Sequence, residues 1–172
     1  MPITPDTKNW TWVLERPCPE CGFDADTFDA TDVAAMVRAN AEAWPAALDR
    51  HDVRVRPDDA TWSPLEYAAH TRDVFRTYDY RLGLMLDEHD PAFPNWDQDV
   101  TAVEEKYNEQ DPAIVTTELR EAANRIADSF EAVPDDAWDR TGRRSDGASF
   151  TVETLAKYFV HDPIHHLWDV TK

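Results

Sequence analysis

Glycine is scarce in this chain, with 4 residues in 172. An all-β design rich in tight turns needs more, so the scarcity points to long helices. Cysteine is scarcer still, at 2 residues. No disulfide framework is available, and a chain of 172 residues, the length of one domain (1–172), can bury a core without one. Positive charge is also in short supply: 17 Lys and Arg stand against 35 Asp and Glu, a net charge of −18. A nucleic-acid backbone or an anionic membrane surface would be repelled, so neither is expected as a partner. Apolar runs of membrane-spanning length are missing, and Met1 to Asp6 shows neither the basic start nor the apolar middle of a signal peptide. A cytoplasmic protein is the expectation.

What the chain does hold is 42% hydrophobic residues, seven of them Trp, arranged with helical periodicity. Residues 1–28 read as an irregular N-terminal segment in which Trp10 and Trp12 precede Cys18-Pro19-Glu20-Cys21-Gly22. A C-x-x-C knuckle is half of a zinc-ribbon site, but no second C-x-x-C exists. The favoured reading is a tight structural turn under the two tryptophans; a zinc site would have to borrow histidines. Asp29 to Asp32 opens a helix of about 30–49, which Pro45 should bend by removing a backbone donor. Ser63 with Pro64 and Glu66 forms a capping box that starts a second helix, 64–86. A 25-residue link, Asp87 to Asp111, is too long for an ordinary bundle turn. Asp111-Pro112 starts a third helix, 112–132, with Val115, Leu119, Ala122, Ile126 and Phe130 in one stripe. A polar loop, 135–150, leads to a fourth helix, 152–170.

Four amphipathic helices with one long crossover predict an all-α four-helix bundle in up-down-down-up order, because the link lets helices two and three run parallel. Half of the six histidines lie in the last helix, and His161 and His165 are spaced i, i+4, so both rings leave one face. Alone, such a pair is a weak signal. In the expected topology the start of the second helix lies level with the end of the fourth, which brings His70 to the same end of the bundle. Three neutral imidazoles at His70, His161 and His165 suit zinc first, with nickel or iron as alternatives, and leave the ion open positions for chemistry. Asp169 and Asp73 are candidates to accept the outer ring N–H of a ligand. Asp97 and Asp99, in the crossover, could reach the open metal face. Glu66 is assigned to the capping box, and His166, about 100° round the helix from His165, to a core or surface role.

Trp62-Ser63-Pro64-Leu65-Glu66-Tyr67-Ala68-Ala69-His70 and His161-Asp162-Pro163-Ile164-His165-His166 resemble the two ligand motifs of the DinB superfamily. That superfamily groups DinB-like proteins with bacillithiol and mycothiol transferases and the mycothiol-dependent maleylpyruvate isomerase. The resemblance covers about residues 30–170. It implies an up-down-down-up bundle with a divalent metal on His70, His161 and His165. The segment Phe93-Pro94-Asn95-Trp96-Asp97 and the Cys-Pro-Glu-Cys-Gly knuckle look like those of an actinobacterial branch.

Two classes of function follow. One is a metal-dependent S-transferase or isomerase that takes a low-molecular-weight thiol such as mycothiol as cosubstrate and an electrophilic small molecule as substrate. The other is a metal-binding or stress-associated interaction protein that performs no chemistry. A basic pocket in so acidic a chain would favour the enzyme, with Arg72, Arg76, Arg143 and Arg144 as the residues to supply it. The sequence leaves a homodimer open.

Overall fold

Three of the four long helices of the protein begin at a side-chain cap. The computed structural model describes residues 1–172. After a short 3-10 turn at Ala30–Asp32, helix α1 spans Val33–Leu48 and runs through Pro45 to its last turn. Helix α2 spans Pro64–Asp87; Ser63 Oγ accepts from Glu66 N–H and the Glu66 carboxylate accepts from Ser63 N–H. The crossover carries an element the sequence reading did not expect, the short helix α3 at Gln98–Glu104, capped by Asp97. Helix α4 spans Pro112–Glu131 under an Asp111 cap, and α5 spans Val152–Thr171 under a Thr151 cap.

Hydrogen bonds between helices establish their directions. Arg72 and Asp79 of α2 meet Glu118 and Ser129 of α4 in the same order, so those two helices run parallel. Asn40 donates to the Pro163 carbonyl and Arg50, just past α1, to the Val170 carbonyl, so α1 and α5 are parallel as well. Arg38 meets Asp128 while Arg120 meets Glu42, making α1 and α4 antiparallel. The result is an up-down-down-up bundle in which α2 and α1 each pack on both α4 and α5.

The core of the bundle is apolar. Trp44, Leu65, Phe75, Leu82, Leu119, Ile126, Leu155 and Phe159 are essentially removed from solvent. Burying each such side chain contributes roughly 1.5–3 kcal/mol. Phe159 is the hub, in ring contact with Phe75, Tyr78 and Phe130.

The polar loop before α5 contains a second unexpected element, a hairpin of β1 (Thr141–Arg143) and β2 (Ser149–Thr151). Three-residue strands leave little period-two signal, which is why pattern reading passes over them. The hairpin pins the crossover: Phe93 N–H donates to the Arg143 carbonyl and Arg143 N–H to the Pro91 carbonyl. Gly142 is required here, since a Cβ would come 2.7 Å from the Phe93 ring. So anchored, the link carries Trp96 to lie flat on His70, with ring centroids 5.7 Å apart.

Candidate metal centre

Residues 161–166 of α5 present two adjacent faces, and each meets different partners. His161 and His165 point toward the N-terminal segment, where their ring nitrogens and the thiols of Cys18 and Cys21 all lie within 4.8 Å of one another. Asp162 and His166, one residue further round, point toward α2 and form a second group with His70, their donor atoms also within 4.8 Å of one another. The three histidines named from the sequence are therefore divided between two groups. The physical reason is rotation: topology brings the start of α2 level with the end of α5, but it is the 162/166 face, not the 161/165 face, that turns toward α2.

The His70 group has the features of a metal site. His70 Nε2 lies 3.3 Å and His166 Nε2 3.5 Å from Asp162 Oδ1. Donors held about 2.0–2.2 Å from one ion stand about 3.0–3.5 Å apart, so the spacing fits. His70 is fully buried, and both its ring nitrogens and Asp162 Oδ1 are enclosed without a hydrogen-bond partner. Buried polar atoms without partners cost about 1–3 kcal/mol each unless something else satisfies them. His166 is oriented from behind, where its Nδ1–H donates to Asp169 Oδ2 at 3.2 Å, leaving Nε2 free to face Asp162. That carboxylate-to-imidazole bond is how ligating histidines are held in the correct tautomer.

Electrostatics separates the two groups in the metal-free protein, where an ion would have to displace the His166 proton. Burial works to raise the Asp162 pKa, but His166 and His70 beside it outweigh burial and hold the carboxyl well below its usual range. For His166 burial works downward, and Asp162 and Asp169 outweigh it and lift the pKa to about 9. His161 is different: burial first, and then the neighbouring His165, lower it to about 4, so the ring is neutral and ready to act as a ligand.

Other residues singled out in the sequence take varied places. Asp169 orients His166 rather than His165, from which it lies 3.7 Å away. Asp73 serves Arg72, Arg76 and the Tyr107 hydroxyl and does not touch His70. A cavity of about 780 Å³ opens beside the ligand stretch, with Asp97, Asp99, His161, Asp162, His165, His166 and Arg144 in its wall and His70 buried behind it. Burial, then the neighbouring Asp97, raise the Asp99 pKa. Arg72 is tied to Asp73, Gln110 and Glu118, Arg76 to Asp73 and Glu118, and Arg143 to Asp90, so of the four arginines only Arg144 reaches the cavity. It bonds Asp146 and the Tyr158 hydroxyl.

The arginine that sequence reading passed over is Arg81. It lines the cavity at 6% exposure, its guanidinium 5.0 Å from the Tyr78 ring centroid and 5.3 Å from that of Phe93, and it makes no hydrogen bond or ion pair. Its place on the apolar stripe of α2, between Tyr78 and Met85, was the available signal. An arginine there either snorkels or faces a polar space.

The comparisons accord with this geometry. The family model of the DinB superfamily matches residues 15–170. Among solved structures, YfiT from Bacillus subtilis, described as a probable metal-dependent hydrolase with an unusual four-helix bundle topology, superposes with a TM-score of 0.70. It is 18% identical over 99% of this chain and 92% of that one, a likeness of fold. No curated protein sequence matches. No helix here is long and apolar enough to cross a membrane. With the family model matching nearly the whole bundle, ligand stretches included, the chain belongs to the DinB superfamily.

Proposed function

We propose that this protein is a metal-dependent enzyme that transfers a low-molecular-weight thiol of the mycothiol type to an electrophilic small molecule, with a divalent ion held by His70, Asp162 and His166. The observation that carries this reading is the convergence of three donors, two of them with buried unsatisfied atoms, beside a cavity large enough for a small-molecule ligand. Two imidazoles and one carboxylate are the donor set of open, catalytic sites. Bound there, a divalent ion would supply Lewis acidity and lower the pKa of a thiol or water.

The side chains around the cavity supply the rest. Arg81, without a counter-ion, is available to a carboxylate or similar anionic group, and its near-complete burial makes that charge count for more than one in bulk water. Arg144, held by Asp146 and Tyr158, adds a second guanidinium to the same wall. Trp96 closes over His70 and keeps bulk water from it. Asp99, with its raised pKa, is placed in the cavity wall to take up the proton that the thiol sheds. The sulfur–carbon bond then forms as the leaving group departs with its electron pair. Asp169 and Asn40 act behind the site, one on the His166 ring and the other on the Pro163 carbonyl.

A second reading, hydrolysis by an activated water, is favoured by the description of the structural neighbour as a probable metal-dependent hydrolase. The experiment pairs mycothiol with monochlorobimane and compares the metal-loaded protein with His166→Ala. Turnover is expected to require metal and to fall more than about 100-fold in the variant, since even the partners of ligands cost roughly 10–100-fold when removed. Failure of mycothiol, bacillithiol, coenzyme A and glutathione to react or to bind by calorimetry would discard the thiol reading. Cleavage of an ester or amide panel would then select the hydrolase, and silence there too would leave the non-catalytic metal-binding protein.

A further inference from the structure

The second group on α5 is independent of that reading and asks for its own explanation. Cys18 Sγ lies 3.7 Å from His165 Nδ1, and the four donor atoms of Cys18, Cys21, His161 and His165 are mutually within 4.8 Å. For ligands about 2.3 Å (sulfur) and 2.0–2.1 Å (nitrogen) from one tetrahedral ion, the sulfur–nitrogen edge is about 3.6 Å. The turn that carries the thiols is built for this. Gly22 sits at φ +76°, its N–H donates to the Cys18 carbonyl at 3.0 Å, and Cys18 N–H donates to the Phe23 carbonyl at 2.7 Å. A side chain at Gly22 would find open space, so the glycine is needed for its backbone angle alone.

The cluster is largely enclosed by apolar rings, with its two histidines bordering the cavity. Cys18, His161 and His165 are buried, and His161 Nε2 has no hydrogen-bond partner. Trp10 covers both imidazoles with ring centroids 5.4 and 5.3 Å away, Phe23 packs on His161 and Trp168 on His165. An apolar enclosure tolerates an ion only when its charge is balanced. Two thiolates and two neutral imidazoles balance a divalent ion completely, whereas the His70 group leaves it a net positive charge.

We infer that Cys18, Cys21, His161 and His165 form a second, structural zinc site that fastens the N-terminal segment to α5. Four protein ligands saturate a tetrahedral ion and leave no position for substrate. Because its α5 ligands alternate with Asp162 and His166, the site also fixes the rotation of the helix that presents the catalytic donors. It accounts for the knuckle, for the tryptophan cover, and for the histidine pair left over once His166 takes its place in the other group.

Cobalt(II) titration of the metal-free, reduced full chain tests this. Two equivalents are expected to bind, one of them with a thiolate-to-cobalt charge-transfer band and tetrahedral visible spectrum. Cys18→Ser with Cys21→Ser should lose the band and one equivalent. His166→Ala should lose the other equivalent and keep the band, which covers the case where the cysteine double variant does not fold. One equivalent without a charge-transfer band in the wild type overturns the proposal. So does a band that survives the double variant, or a Cys18–Cys21 disulfide that excludes cobalt under non-reducing preparation and re-forms in preference to metal binding.

Discussion

The 161/165 and 162/166 faces of α5 are separated by one residue of helix rotation, about 100°, and carry similar side chains. Their environments differ. On the first, two thiols and three aromatic rings surround the histidines, which also border the cavity. On the second, the fully buried His70 joins Asp162 and His166, which border the same cavity as Arg81 and Arg144. What surrounds an imidazole, rather than its spacing along the helix, separates a structural from a reactive site.

The comparison is broken most sharply by stepwise metal removal. A mild chelator is expected to strip the open His70 group first and abolish turnover with little change in melting temperature. A strong chelator with thiol modification then empties the cysteine group. If that group binds its ion with [metal] about 1,000-fold above Kd, its loss removes roughly 4 kcal/mol. At about 2–4 °C per kcal/mol for a chain of this size, the melting temperature drops by roughly 10 °C. The helical circular dichroism signal should persist throughout at low temperature, because the core is apolar. Loss of activity and stability in a single step would merge the two sites.

Asp169→Asn sharpens the same contrast at a smaller scale. It removes the carboxylate that accepts from His166 Nδ1–H, and metal affinity at the open group is expected to fall about 10–100-fold. The cobalt–thiolate band should be unchanged. Equal weakening of both groups would mean that Asp169 also serves His165.

The smallest effect belongs to a control that loads neither face. Glu66 is buried, caps α2 one turn before His70, and pairs with Arg56. Burial works to raise its pKa, but the Arg56 guanidinium and the Ser63 N–H outweigh it and the pKa falls below its usual value. A depressed folded-state pKa means a stabilisation present above the unfolded pKa and lost as pH falls through the folded one. Glu66→Gln should therefore cost about 1–2 kcal/mol at neutral pH. Denaturant unfolding of the metal-free protein should show the gap from wild type narrowing in acid, with metal stoichiometry unchanged. An altered cobalt count would tie the cap to the site.

Much of this molecule was legible before any coordinates. The capping residues Ser63 and Asp111, the apolar stripe from Val115 to Phe130, and the long crossover together specify helix starts, the core face of α4 and the up-down-down-up order. They do so because caps and periodicity are local properties, and loop length limits which helices can run parallel. The level at which His70 meets α5 follows from that order. Helix α3 and the hairpin around Gly142 did not show, since they are short and stabilised by contacts with distant segments.

Sequence alone brought His70 and the histidine-rich end of α5 to the same height along the bundle. Only the tertiary structure decided the angle: which face of α5 turns toward α2 depends on how Phe159, Asn40 and the neighbouring helices pack, information spread over the whole chain. The same packing swings the N-terminal knuckle onto the adjacent face, a contact across more than a hundred residues between Cys18 and His165. No local spacing could have announced it, because the missing half of the C-x-x-C site lies on a helix at the other end of the sequence.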